Sequence, residues 1–249
     1  SPRSNGRNCP ALGPTVSEPA PLGACVKFRE PPRYVIESPC MTRRGRFIVL
    51  EGPDKSGKST HAALLMDALR RRGLKTLHTR EPGGTSFAEA VRGILLDPRN
   101  KVHPLSELLL YEAARAQHTQ EILLPALRAG KVVVCERYTL ATLAYQGFGR
   151  GLPLPLVRRL NAAATSGLAA DLTLILDIPD ARFLDRATSR TLDRLELESR
   201  RFRLTVARAY RRLAGTEPRT VLIDADRPKA EVHEEILGRV LNVISRKPA

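Results

Sequence analysis

The chain has 249 residues, 42% of them hydrophobic and 27% charged, with a formal net charge of +15; this suits one α/β domain with a sizeable core better than two. Its four cysteines, at positions 9, 25, 40 and 135, show neither CxxC spacing nor a His-rich surround, which argues against a disulfide framework or zinc site and for a reducing compartment. No apolar run approaches the ~18 residues of a membrane span and no apolar signal core is found, so a soluble, cytoplasmic protein is expected.

Residues 1–45 are rich in Pro, Gly and Ser and hold no sustained period of 2 or 3.6, which predicts a disordered extension. The first methionine, Met41, precedes the first convincing strand by six residues. The expectation is that residues 1–40 are either an over-extended reading frame ahead of a natural start at Met41 or an inert tail; an organelle-targeting extension is the alternative, disfavoured by its glutamates and prolines. From residue 46 to 249 one domain is expected. Short apolar, β-branched runs occur at 47–50, 75–79, 131–135, 172–178 and 220–224, and helical patterns fill the gaps. That alternation predicts a three-layer α/β fold, a five-stranded parallel sheet flanked by helices on both faces. Ligands of such sheets bind at the carboxyl ends of the strands, so the residues just after each run are where chemistry is expected.

After the first run, "GPDKSGKS" at 52–59 satisfies GxxxxGK[ST] between a strand and a helix, the context of a nucleoside-triphosphate loop. Gly52 and Gly57 allow the tight backbone whose N–H groups wrap a phosphate, and Pro53, Asp54, Lys55, Ser56 and Thr60 complete an ATP-binding segment. Lys58 is expected to reach the β- and γ-phosphates and Ser59 to ligate Mg²⁺. No guanine-reading NKxD motif is present, and the third run ends "VVVCERY" rather than in a Walker B Asp with a neighbouring Glu. A small ATP-dependent phosphotransferase remains. Arg80 and Arg137 both follow predicted strands on the edge where the phosphate loop sits, and two guanidiniums there can hold a second anionic group opposite ATP.

Together, "EGPDKSGKST", "REPGGT", "ELLLYEAARAQH", "ERYTLATLAYQGFGRG", "DLTLILDI" and "LDRLE" resemble the thymidylate kinase family, most closely its bacterial branch, over roughly residues 45–246. The resemblance implies Mg²⁺- and ATP-dependent phosphorylation of dTMP to dTDP by a homodimer. It further implies that Asp54 contacts the acceptor's 3′-hydroxyl and that Arg80 and Arg137 hold its phosphate. Tyr111 would stack on thymine, Arg115 would face the base edge, and Tyr145 and Gln146 would line the sugar and base pocket. Tyr111 and Arg115 are spaced i, i+4, so one cleft can receive both. Three places depart from the family pattern. Glu136, an expected Mg²⁺ ligand, stands where most relatives have Asp; Leu140-Ala141-Thr142 stands where bacterial relatives often read Asp-Ser-Ser; and Lys55 replaces a small residue.

Residues 181–203 resemble the family's lid. Arg182, Arg186, Arg190 and Arg194 recur every fourth residue, which on a continuous helix makes one basic stripe. Either the stripe is a solvated face paired with Asp185 and Asp193, or Arg186, Arg190 and Arg194 reach the phosphates, with Arg190 as the catalytic arginine. The acceptor phosphate is already an oxyanion with a second pKa of ~6, so alignment and charge neutralisation suffice. A deoxynucleoside kinase using Glu81 as base is the nearest alternative, and a catalytically degenerate binding protein another. The positive charge raises nucleic acid as a partner, yet only 4% of residues are aromatic and no RNP-like or zinc-finger motif occurs, so no specific nucleic-acid binding is expected.

Overall fold

β1 (Arg46–Glu51), β3 (Val132–Glu136) and β4 (Leu172–Asp177) are almost wholly buried, whereas β2 (Thr76–Arg80) and β5 (Thr220–Asp224) are largely half-buried or exposed. The computed structural model describes residues 45–187 and 193–246, and in it the five strands form one parallel sheet in the order β2-β3-β1-β4-β5. The three central strands read as unbroken apolar runs because both faces are covered, while the edges keep polar positions. The expected extension up to residue 44 lies outside the described residues.

Side chains alternate across the sheet. Ile48, Leu50, Val134, Leu174 and Leu176 pack on one face with α1 (Lys58–Arg71) and α9 (Lys229–Ser245). Phe47, Val49, Val133 and Cys135 pack on the other against α4 (Leu124–Arg128) and Tyr138. Beside that layer, α3 (Pro104–His118), the π-helical stretch Leu143–Gly149, α6 (Leu154–Thr165) and α8 (Arg200–Thr216) share a second cluster around Leu108, Tyr145, Val157, Phe202 and Tyr210. α2 (Ser86–Leu96) packs on α3 through Ala88, Val91, Leu95 and Ala114. A short α5 (Thr139–Thr142) leads into the π-helical stretch, and α7 (Asp180–Ala187) follows β4.

Helix starts follow the local chemistry. Thr85 caps α2 by accepting from Ala88 N at 3.1 Å, and Ser199 caps α8 by accepting from Phe202 N at 3.2 Å. α1 differs, because its N-cap is Gly57 with φ 93° and no side-chain cap. Its first N–H groups therefore have no capping side chain, an arrangement that suits an anion at the helix start.

α7 is described as far as Ala187, and where the described residues resume, at Asp193, the chain is not helical. Asp193 Oδ1 accepts from Leu195 N at 3.0 Å and from Glu196 N at 2.9 Å, while Glu196 Oε2 accepts from Asp193 N at 3.2 Å. This reciprocal Asp-x-x-Glu box starts a new turn at Asp193 and takes Arg194 off the α7 stripe. The whole of Arg190 and the side chain of Arg186 lie outside the described residues.

Candidate active site

β1 and β3 are neighbours at the centre of the sheet, so the loop after β1 and the "ERY" turn after β3 emerge side by side. Gly52, with φ 132°, lies so close to the carbonyl of Leu176 that a Cβ would collide with it. Lys58 Nζ crosses the loop, donating to Gly52 O at 3.1 Å, Pro53 O at 2.7 Å and Ser56 Oγ at 3.4 Å. Burial, reinforced by the charge of Arg137, lowers the Lys58 pKa to about 7 against the pull of Asp54, Glu51 and Glu136.

A cleft of about 620 Å³ runs along this edge, lined by the loop from Asp54 to His61, by Arg80, Arg92, Glu136 and Arg137, and on the far side by Asp193, Glu196, Arg227 and Lys229. A second recess, lined by Tyr111, Ala141, Thr142, Tyr145, Gln146 and Leu195, shares Asp54, Glu81, Arg92, Arg137 and Asp193 with it. The two meet at Asp54 and Arg137. Arg137 has φ 67°; it donates to Gly52 O at 3.2 Å, to the hydroxyls of Tyr210 at 3.3 Å and Tyr145 at 3.2 Å, and pairs with Asp54. Tyr145 in turn donates to Asp54 Oδ2 at 2.8 Å. Burial would raise the Asp54 pKa, but the charges of Arg137 and Lys58 outweigh it and the carboxylate stays below its ordinary value. Glu51, at the end of β1, accepts from Tyr138 N, Ala141 N and the Tyr210 hydroxyl, tying the turn after β3 to the phosphate loop.

Ser59 donates to Glu136 Oε2 at 2.6 Å, and Glu136 Oε1 accepts from His78 Nε2 at 2.9 Å. Burial pushes the Glu136 pKa up, yet the hydrogen bonds from His78 and Ser59 and the charge of Lys58 bring it below the ordinary value. The Ser59 hydroxyl at the start of α1 and the Glu136 carboxylate at the end of β3 are hard oxygen donors of the kind Mg²⁺ takes. Lys55, with φ 63°, reaches Glu196 at 3.4 Å, and Thr60 lies on the cleft wall. Arg80 is on the same wall, half-exposed and paired with Glu89 at 3.3 Å.

Two expected positions differ. Arg115 is only 2% exposed and lines neither the cleft nor the recess. Its guanidinium donates to Glu81 Oε2 at 2.7 Å, Glu112 Oε1 at 2.8 Å, Asn161 Oδ1 at 2.7 Å and Tyr138 O at 3.0 Å, and reaches the recess only through Thr142 Oγ1 at 3.3 Å. Arg194 does not face the phosphate loop either: it donates to Leu95 O at 2.7 Å and to Glu107 Oε2 at 2.6 Å. Glu107, fully buried, also holds Arg150 at 3.1 Å and accepts from Gln146 Nε2 at 2.9 Å. A carboxylate only accepts, so the Gln146 amide is fixed with its oxygen on the other side.

Sequence reasoning missed Arg92, which lines both cleft and recess and donates to Pro82 O at 3.0 Å. Its signal was available: Arg92 lies four residues after Ala88 on the buried face of α2. Tyr210 is likewise a buried aromatic inside an arginine-rich helix.

A phosphate loop beside a strand-end arginine, opening across a shared aspartate onto a second recess, defines a P-loop phosphotransferase of the nucleotide-kinase class. The family model for thymidylate kinase matches residues 50–236. A thymidylate kinase of Deinococcus radiodurans is 46% identical over 199 residues, 79% of this chain and 97% of that protein. One from a Synechococcus species is 50% identical over 189 residues, 75% of this chain and 89% of that protein. The crystal structure of thymidylate kinase from Ehrlichia chaffeensis superposes with a TM-score of 0.65 at 30% identity, covering 79% of this chain and 98% of that one. The chain belongs to the thymidylate kinase family.

Proposed function

We propose that the protein transfers the γ-phosphoryl group of ATP to dTMP, giving dTDP and ADP. The observation that carries this is the junction at Asp54 and Arg137, where the phosphate-loop cleft and the recess of Tyr111, Tyr145 and Gln146 share a wall. Lys58 and the N–H groups at the start of α1 bind the donor phosphates. Arg80, Arg92 and Arg137 hold the acceptor phosphate in line, and Asp54, oriented by Tyr145, accepts from the sugar hydroxyl. Tyr111 packs against the base and Gln146 reads its edge. Mg²⁺, held through Ser59 and Glu136, would neutralise the donor phosphates when bound. Arg190 is proposed as the arginine that closes on the transferring group.

The nucleoside-kinase alternative asks Glu81 to take a hydroxyl proton. Burial would raise its pKa, but Arg115 and His118 outweigh burial and hold it below the ordinary value, and both of its oxygens are engaged. That is a poor base. Among the described residues no helix is long and apolar enough to cross a membrane. A homodimer is supported by an apolar stripe of Phe87 and Ile94 on α2 and Leu105 and Leu109 on α3, each exposed by 39–49%, on helices that pack side by side. Mass spectrometry of the products from ATP, Mg²⁺ and dTMP tests the reaction: dTDP is expected, and ATP hydrolysis without dTDP would contradict it.

A further inference from the structure

We infer that His78 is a positioning residue that fixes the Glu136 carboxylate for the divalent cation of the phosphate loop; this rests on the reading above that Ser59 and Glu136 hold that cation. β2 and β3 are paired in parallel with His78 opposite Val134 and Arg80 opposite Glu136. Positions 78, 80, 134 and 136 therefore point to the same face of the sheet, and His78 stands one step diagonally behind Glu136. The two carboxylate oxygens have different partners, Oε2 being held by Ser59 Oγ at 2.6 Å and Oε1 by His78 Nε2 at 2.9 Å.

The need for such a clamp follows from the side chain. A glutamate carries one rotatable bond more than an aspartate, and ordering it for a ligand costs conformational freedom. A donor on Oε1 removes that freedom before the cation arrives and leaves Oε2 beside the Ser59 hydroxyl. Packing does not account for His78, whose side chain is 36% exposed on an edge strand. An aspartate at 136 would draw the carboxylate back by about one C–C bond, ~1.5 Å. From a starting distance of 2.9 Å, that exceeds hydrogen-bond reach. His78 should therefore matter when residue 136 is Glu and not when it is Asp.

The test is a double-mutant cycle read by cation binding rather than turnover. Mn²⁺ is titrated into the full-length protein with ADP and free Mn²⁺ is followed by electron paramagnetic resonance, for His78→Phe and His78→Gln, each with Glu136 and with Glu136→Asp. With Glu136, His78→Phe is expected to weaken Mn²⁺ binding about tenfold, and His78→Gln, whose amide can donate to the same oxygen, to restore most of it. With Glu136→Asp, loss of His78 should change the affinity by less than about twofold. Equal weakening in both backgrounds, or none with Glu136, overturns the role of His78. His78→Asn, too short to reach the carboxylate, replaces the Phe variant if that folds poorly. Native protein that binds no Mn²⁺ in the presence of ADP would instead contradict the cation reading of Ser59 and Glu136.

Discussion

Replacing Arg115 by Met removes a guanidinium that neutralises two buried carboxylates at once. Glu81 and Glu112 lie 2.7 and 2.8 Å from it and are themselves buried. Removing one partner of a buried ion pair typically costs about 3–5 kcal/mol, because the other charge is left uncompensated. His118 still donates to Glu81 at 3.0 Å, which places the expected loss near the lower end, about 3 kcal/mol. For a domain of this size each kcal/mol moves Tm by about 2–4 °C, so a fall of about 6–12 °C is expected in the unliganded protein. The loss should also depend on pH. Burial already holds Glu112 above its ordinary value despite Arg115; without Arg115 its pKa rises further, and taking up a proton relieves the unpaired charge. The Tm deficit of Arg115→Met is therefore smaller at pH 5 than at pH 8. Scanning calorimetry of both proteins at the two pH values checks this, and a Tm within about 2 °C of the native value at pH 8 would refute the structural role argued for Arg115.

The Glu107→Gln variant should lose about 2–3 kcal/mol at pH 7, since it weakens charge-assisted hydrogen bonds to Arg150 and Arg194. Burial pushes the Glu107 pKa up but its donors bring it below the ordinary 4.5, so this stability is present above that value and lost as pH falls through the folded pKa. The gap in Tm to the native protein should thus close in acid, and a gap unchanged from pH 7 to about 3.5 would contradict the assignment. Because Glu107 turns the Gln146 oxygen away from itself, that oxygen can accept from the imide N–H of thymine, whereas the matching nitrogen of cytosine is an acceptor. Gln146→Leu should erode the kcat/KM preference for dTMP over dCMP by about 10- to 100-fold; an unchanged preference would show that other groups read the base. For the proposed dimer, Leu109→Glu is expected to shift sedimentation toward the monomer while leaving Tm nearly unaltered, and an unchanged sedimentation coefficient would move the interface elsewhere.

The sheet was legible because its central strands are continuous β-branched runs, and their order of appearance with intervening helices leaves few topologies. The phosphate loop was legible for a similar reason, since strand, glycines and helix are contiguous. The recess was harder. Arg115 reads as a ligand on a helix face because, besides Glu112 one turn back, its partners Glu81 and Asn161 lie 34 and 46 residues away, and only folding brings them together. Only the last arginine of the stripe, Arg194, was misplaced, for a local reason: a spacing of four fits a helix, but Asp193 and Glu196 form a box that begins a new turn there. His78 gave no signal in one chain, being an edge-strand residue whose role depends on the strand register with Glu136.

The most direct test of the central claim is the specificity constant for ATP consumption by the full chain with Mg²⁺ and, separately, dTMP, dUMP, dCMP or thymidine. Turnover with dTMP exceeding that with every other acceptor is the predicted result, with thymidine inactive because it brings no phosphate for Arg80, Arg92 and Arg137. Turnover with thymidine but not dTMP would place the acceptor chemistry at a hydroxyl and contradict the account.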